Sequence, residues 1–274
     1  MTPATRSRST ALFTACAGFV LVAPLLLAWT IDPRQIASAS PWVKPLKFAL
    51  SFSLHWLTIT LALHRLRGPT SQTLAWAVAV GAFATIIETA AIVLQSARGV
   101  PSHFNQSSAP DAAIYFGIMG PAALGIVGAT FAVGWSMHTD VRARPAAQPR
   151  GTEAAEIDRA LALGLMLSAV LTLVVAAPMA AGVTASPEAL ARRATAALPI
   201  LGWSGSGGDL RAAHFLGTHL AQALPLAAWL AHRHRTLAAL LRPAAVATGS
   251  TVVVLALAVQ AVLDRPFIRL ATLQ

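Results

Sequence analysis

The chain is poor in charge, in cysteine and in tyrosine. Charged residues make up 11% of its 274 residues, and there is one Cys and one Tyr. Soluble domains carry about 25% charged residues, so there is too little charge here to cover the surface of a soluble enzyme. The lone Cys16 excludes a disulfide framework and a cysteine-based metal knuckle. No HExxH, HxxxH or CxxCH spacing is present. Gly205, Gly207 and Gly208 lack the strand–helix setting that a dinucleotide fingerprint requires. Lysine is nearly missing as well: of 20 basic residues only Lys44 and Lys47 are lysines.

What is present is apolar. Hydrophobic residues make up 56% of the chain, and the mean hydropathy is +0.64. A spanning helix needs about 20 mostly apolar residues. Seven runs meet that need, near 11–31, 48–64, 73–96, 112–137, 160–184, 212–231 and 245–263. Within them the only Asp, Glu, Lys or Arg is Glu88. A charge at a helix centre costs about 2.5–3.5 kcal/mol on insertion scales, which explains why the rest lie between the runs. The expected fold is therefore all-α: one transmembrane domain, a polytopic bundle of seven helices in the plasma (cell inner) membrane.

Arg6 and Arg8 precede the first run, and Ala37-Ser38-Ala39 has the look of a cleavage site. The run is longer than the about 7–15 residues of a signal-peptide core, so it is kept as a helix. With the N-terminus inside, the basic residues divide 11 inside to 9 outside. The basic flank ahead of the first helix and the short inner loops 65–72 and 232–244 favour this orientation, with the C-terminus outside. Residues 138–159 read as a cytoplasmic loop, rich in Pro, Arg and Glu. Gly117, Gly120, Gly125 and Gly128 are suited to close helix packing, and Pro121 to a kink. The net charge of +10 comes in short clusters between apolar runs, a pattern that fits the anionic heads of a lipid bilayer rather than nucleic acid. Protein partners are not indicated.

Polar residues inside or at the ends of membrane helices are the functional candidates. Helical spacing puts Thr85, Glu88, Gln95 and Arg98 on one face, and Arg211, His214, Thr218 and Gln222 on another, with His219 beside it. Topology brings Lys44, Lys47, Gln95, Arg98, His103, Asn105, Asp209, Arg211 and His214 to one membrane level, with Asp111 and Tyr115 at the head of the fourth helix. The expected ligand-binding or proton-coupling set is Lys44, Lys47, Glu88, Gln95, Arg98, His103, Asn105, Asp209, Arg211, His214, His219 and Gln222. His55, four residues after Ser51, resembles the Ser-x-x-x-His spacing of seven-helix zinc-dependent membrane hydrolases, although the last helix lacks the histidine of that pattern.

The strings PWVKPLKFALS, ETAAIVLQSARGVPSHFN and DLRAAHFLGTHLAQALP resemble motifs of an uncharacterised family of bacterial multi-pass membrane proteins. The resemblance implies a membrane protein with a shared polar site, and it implies no reaction. Three functions stay open. In the first, an outward-facing polar pocket binds or transports a small anionic ligand, with Lys44, Lys47, Arg98 and Arg211 supplying charge and Glu88 and His214 forming a proton-coupled or orienting pair. In the second, a membrane enzyme or electron carrier holds haem or a transition metal on His103, His214 or His219. The third is a structural or assembly subunit.

Overall fold

The computed structural model describes residues 1–36, 39–144, 152–183, 202–204, 206–234 and 240–265. Ala37 and Ser38 of the cleavage-like string lie outside them, as do residues 145–151 of the expected loop. The described residues are helical apart from loops and isolated bridge positions, among them the Ile36–Ala39 bridge. The chain forms two compact units, Met1–Ala162 and Leu163–Gln274.

The first unit contains α1 (Pro3–Ile31), α2 (Val43–Arg65), α3 (Gln72–Ala97), α4 (Ala109–Ala143) and the start of α5 (Glu153–Ala180). Their starts are written locally. Thr2, Ser71 and Ser108 accept from the backbone N–H groups of Thr5, Leu74 and Asp111, which caps α1, α3 and α4. In α4 the residues Ala113–Met119 form a π-helical stretch. Pro121, just beyond it, has no N–H to give, and its ring crowds the carbonyl four residues back. The wider turn is how the helix absorbs that residue.

Small residues set the closest helix contacts. A Cβ at Gly18 of α1 would collide with Ser53 of α2, and one at Gly81 of α3 would collide with Ala129 of α4. Of the α4 glycines expected to pack, Gly125 faces Ala84, whereas Gly117 and Gly128 have open space beside them. Spacing identifies small residues but not the side of the helix a neighbour occupies. The outward faces carry Phe13, Phe19, Val20, Trp76, Phe83 and Leu124, all more than two-fifths exposed. Such apolar surface is unstable in water and suits lipid.

The second unit holds the remainder of α5, then α6 (Leu210–Thr218), α7 (Leu220–Arg233) and α8 (Pro243–Val262). Gly164 and Gly217 give close approaches here, to the backbone of Leu220 and the side chain of Leu171 respectively. Six helices among the described residues are long and apolar enough to cross a membrane. The expected run at 212–231 is not one of them, because it is interrupted at His219, whose φ and ψ are −87° and 5°. The cause is local. Thr218 donates its hydroxyl to the His214 carbonyl, and His219 Nδ1 lies 2.8 Å from the Phe215 carbonyl oxygen. Side chains that take up backbone carbonyls in this way compete with the helical ladder, and Gly217 beside them lowers the cost of the bend.

Helix ends also differ from the apolar boundaries. α1 begins at Pro3, α2 at Val43 and α5 at Glu153, so Arg6, Arg8, Lys44, Lys47 and most of the described residues of 138–159 are helical. Backbone hydrogen bonding continues past the point where apolar side chains stop.

Candidate functional site

The site is built where α2 and α4 begin and α3 ends. α3 closes at Arg98. Gly99 follows with φ 72°, a left-handed value that glycine adopts without strain. The chain then crosses to Ser108 through a loop that contains Phe104 at φ 59°. A bulky residue in the left-handed region is held there by its surroundings. The Phe104 ring packs on Tyr115, 5.3 Å between centroids, and Tyr115 sits on the π-helical stretch of α4.

This loop delivers His103 to Glu88. Glu88 is 3% exposed, and its Oε1 lies 3.1 Å from His103 Nε2. On the far side of the ring, Ser102 Oγ is 3.1 Å from His103 Nδ1, and Phe48 of α2 packs against it at 5.3 Å between centroids. Lys44 Nζ stands 6.0 Å from the centroid of the same Phe48 ring and is within electrostatic range of Glu88, as is Tyr115. Glu88 Oε2 is buried and has no hydrogen-bond partner. An unpaired buried carboxylate oxygen is costly, and the packing of this region does not satisfy it.

Beside it lies a network in which nearly every group is used. Asp111 Oδ1 accepts from Gln95 Nε2 at 3.0 Å and from Arg98 Nη1 at 2.6 Å. Its Oδ2 accepts from Ser108 at 2.7 Å and from Ser107 at 3.3 Å. Asn105 Oδ1 accepts from the N–H and hydroxyl of Ser107, while its Nδ2 is buried without a partner. Gln95, Arg98 and Asn105 thus fasten the loop that presents His103. The Arg98 guanidinium is neutralised where it stands. Next to this network, Arg34 bridges Asp32 at 2.7 Å and donates to the Ala97 carbonyl, while Trp42 Nε1 donates to Asp32. The guanidinium, and then the indole N–H, hold the Asp32 carboxyl well below the usual range.

Of the two lysines, Lys44 is half-buried beside Phe48, and Lys47 is exposed one turn further along α2. His55, deeper in α2, lies 3.0 Å from Thr130 Oγ1 of α4.

The second unit holds the other candidates. Asp209 caps α6: its carboxylate accepts from the backbone N–H groups of Arg211 and Ser204 and from the Arg211 side chain at 2.6 Å. Arg211 is therefore committed to its own neighbour, as Arg98 is. The His214 carbonyl serves Thr218, and its ring Nδ1 is buried without a hydrogen-bond partner. The His219 ring packs at a tilt against Phe215, 4.1 Å between centroids. Gln222 stands in the first turn of α7, and its N–H is bonded to the His219 carbonyl. Among the described residues, no three or more His, Cys, Asp or Glu side chains gather in a way that could hold a metal.

The sequence reading placed Asp111 at this membrane level without making it a candidate, yet it is the hub of the network. Its signal was available: an acid three residues after Ser108 at the head of a helix, with Gln95 and Arg98 of α3 at the same level. Phe48 had no signal beyond its position in α2. No protein-family model, no curated protein and no solved structure matches the chain, so the functional reading rests on this geometry.

Proposed function

We propose that the protein is a seven-span integral membrane protein of the plasma membrane, of the bacterial multi-pass kind its motifs resemble. In this reading it binds or transports a small anionic ligand, coupled to a proton at Glu88 and His103. The observation that carries the reading is the buried Glu88 carboxylate, with one oxygen on His103 and the other unpartnered. Lys44 and Lys47, both at the start of α2, add positive charge that favours an anion at this end, and Arg98 is engaged by Asp111. An anion drawn to this end meets the like charge of Glu88, and a proton on Glu88 removes that repulsion. Anion binding and proton binding then favour one another, and by linkage the effect is reciprocal.

For the topology, α6 and α7 together count as the seventh span. Residues 210–233 are long enough to cross about 30 Å when taken as one broken helix, and broken helices are tolerated where they are packed in protein. The N-inside, C-outside orientation rests on the basic flank of α1. Cysteine-accessibility labelling of loops in a Cys16→Ala background tests the span count.

For the site, infrared difference spectra of the protein in nanodiscs, stepped in pH, should show a protonated-carboxyl band that Glu88→Gln removes. Proteoliposomes given a pulse of lactate, succinate or phosphate should show proton movement that the same substitution abolishes. A pH-silent carboxyl region, together with anion-independent proton flux, sinks the proposal.

A further inference from the structure

A titratable side chain in the middle of α2 has no part in the Glu88 site. His55 is half-buried, and its Nε2 lies 3.0 Å from Thr130 Oγ1 of α4. Thr130 donates its hydroxyl to the Ile126 carbonyl at 2.8 Å. A hydroxyl has one hydrogen to give, so Thr130 accepts from the ring, and Nε2 is the nitrogen that carries hydrogen. The ring therefore gains and loses a proton at Nδ1. The helices packed on α2 bring few other titratable groups toward this level. On α3 there is Glu88 alone, α4 has none between Tyr115 and His138, and α1 beyond Arg8 has the exposed Cys16.

A run of contacts leads from this pair to Glu88 through one apolar layer. Phe48 packs on the His103 ring that meets Glu88. Phe52 stands edge-on to Phe48, 5.6 Å between centroids. It also packs on the buried cluster of Ala84, Ala122 and Ile126, which Ile87 joins. Ile126 is the residue whose carbonyl takes the Thr130 hydrogen. Phe48 and His55 are seven positions apart, which is two turns along one face of α2. That spacing is a rise of about 10 Å. Proton transfer needs a hydrogen-bond reach of about 2.6–3.2 Å, directly or through water. A few waters would join the two polar levels, and Phe52 with its apolar neighbours stands where they would have to be.

We infer that His55 is a second proton station, and that Phe52 is the plug that separates it from the Glu88–His103 pair. The inference rests on the proton coupling proposed for Glu88. When Phe52 turns aside, water enters the layer and connects the levels. A proton leaves the Glu88 carboxyl, and through the water His55 takes one at Nδ1. The ring becomes an imidazolium that keeps its Nε2–H on Thr130. Release of the Nδ1 proton toward the C-terminal end of α2 restores the neutral ring. Ionisable side chains inside membrane helices serve as relays of this kind. With Phe52 in place the two levels exchange no proton, which is the condition for coupling rather than leak.

The test uses the full-length protein in proteoliposomes that enclose a pH dye, with a potassium diffusion potential driving protons and no organic anion added. The parent should be tight. Phe52→Ala, which opens the layer, should leak protons. Adding His55→Gln to Phe52→Ala should lower that leak by about a hundredfold, the scale of a positioned proton-transfer group. A Phe52→Ala protein as tight as the parent overturns the inference, as does a leak that His55→Gln leaves unchanged. Glu88→Gln in the same background separates the two readings. If His55→Gln stops the leak and Glu88→Gln does not, the coupling at Glu88 fails and the station at His55 stands. A second measurement needs no opened layer. Nitrogen NMR of histidine-labelled protein in liposomes, with the His55 signals assigned by their loss in His55→Gln, should show Nε2 protonated throughout and Nδ1 gaining its proton between about pH 8 and pH 5. A neutral ring with hydrogen on Nδ1, or a ring that stays neutral across that range, overturns the inference.

Discussion

His103 Nε2 lies 3.1 Å from Glu88 Oε1, so a loop residue and a mid-helix residue 15 positions apart in sequence form one polar pair. His103→Ala would leave both Glu88 oxygens unpaired and should cost about 1–3 kcal/mol. Glu88→Gln should cost less, since an amide oxygen still accepts from the ring. In a double-mutant cycle read by denaturation in detergent, the two substitutions should be non-additive. Strict additivity would mean that the pair is not formed.

Asp158 should dominate the stability of the opposite end. It is buried and shared by Arg65, the last residue of α2, and Arg144, which follows the end of α4. Asp158→Ala leaves two guanidinium groups facing a void and is expected to cost about 3–5 kcal/mol, the usual penalty for breaking a buried ion pair on one side. A loss below 1 kcal/mol in an unfolding titration would show that water reaches this network.

The packing of α3 on α4 makes a contrast between two glycines. Gly81→Leu should disrupt the contact with Ala129, whereas Gly117→Leu enters open space and should be tolerated. Yield of monodisperse protein and melting temperature report the difference. Equal tolerance at both positions would contradict the helix pairing described above.

Asp209 should make the start of α6 sensitive to acid. Burial pushes its carboxyl up, but the Arg211 guanidinium and the Ser204 and Arg211 amides pull it further down, so it titrates below the ordinary value of 3.8. A depressed carboxylate contributes stability that is fully present above 3.8 and is lost as pH falls through the lower folded value. Hydrogen exchange at the Ser204 and Arg211 amides should therefore quicken in that acid window. Asp209→Ala should remove the pH dependence and the cap together, costing about 1–2 kcal/mol.

The membrane character was legible in the sequence because hydropathy is additive along the chain. Excluding charge from long runs needs no knowledge of neighbours, and six of the seven expected runs correspond to helices long and apolar enough to cross a membrane. The run at 212–231 read as uniform, since apolarity carries no trace of the carbonyl-seeking side chains of Thr218 and His219 that interrupt it. The ends at Pro3, Val43 and Glu153 escaped for a related reason: polarity marks where lipid stops, and helical hydrogen bonding continues beyond it.

The first-unit part of the candidate site was legible as one end of α2, α3 and α4 but not as a set of partners. Helical periodicity placed Glu88, Gln95 and Arg98 on one face, and topology placed His103 near them. Which groups meet was decided by the loop after α3, with Gly99 and Phe104 in the left-handed region and Asp111 drawing in Gln95, Arg98 and two serines. The same holds for charge. Composition counts 20 basic residues, and only the tertiary structure separates Arg98, Arg144 and Arg211, each cancelled by an aspartate, from Arg6, Arg67 and Arg142, which pair with no acid among the described residues. Hydropathy sums over single residues, so the sequence by itself determined the environment of this protein. Pairing depends on distance between residues remote in the chain, and that was decided by the fold alone.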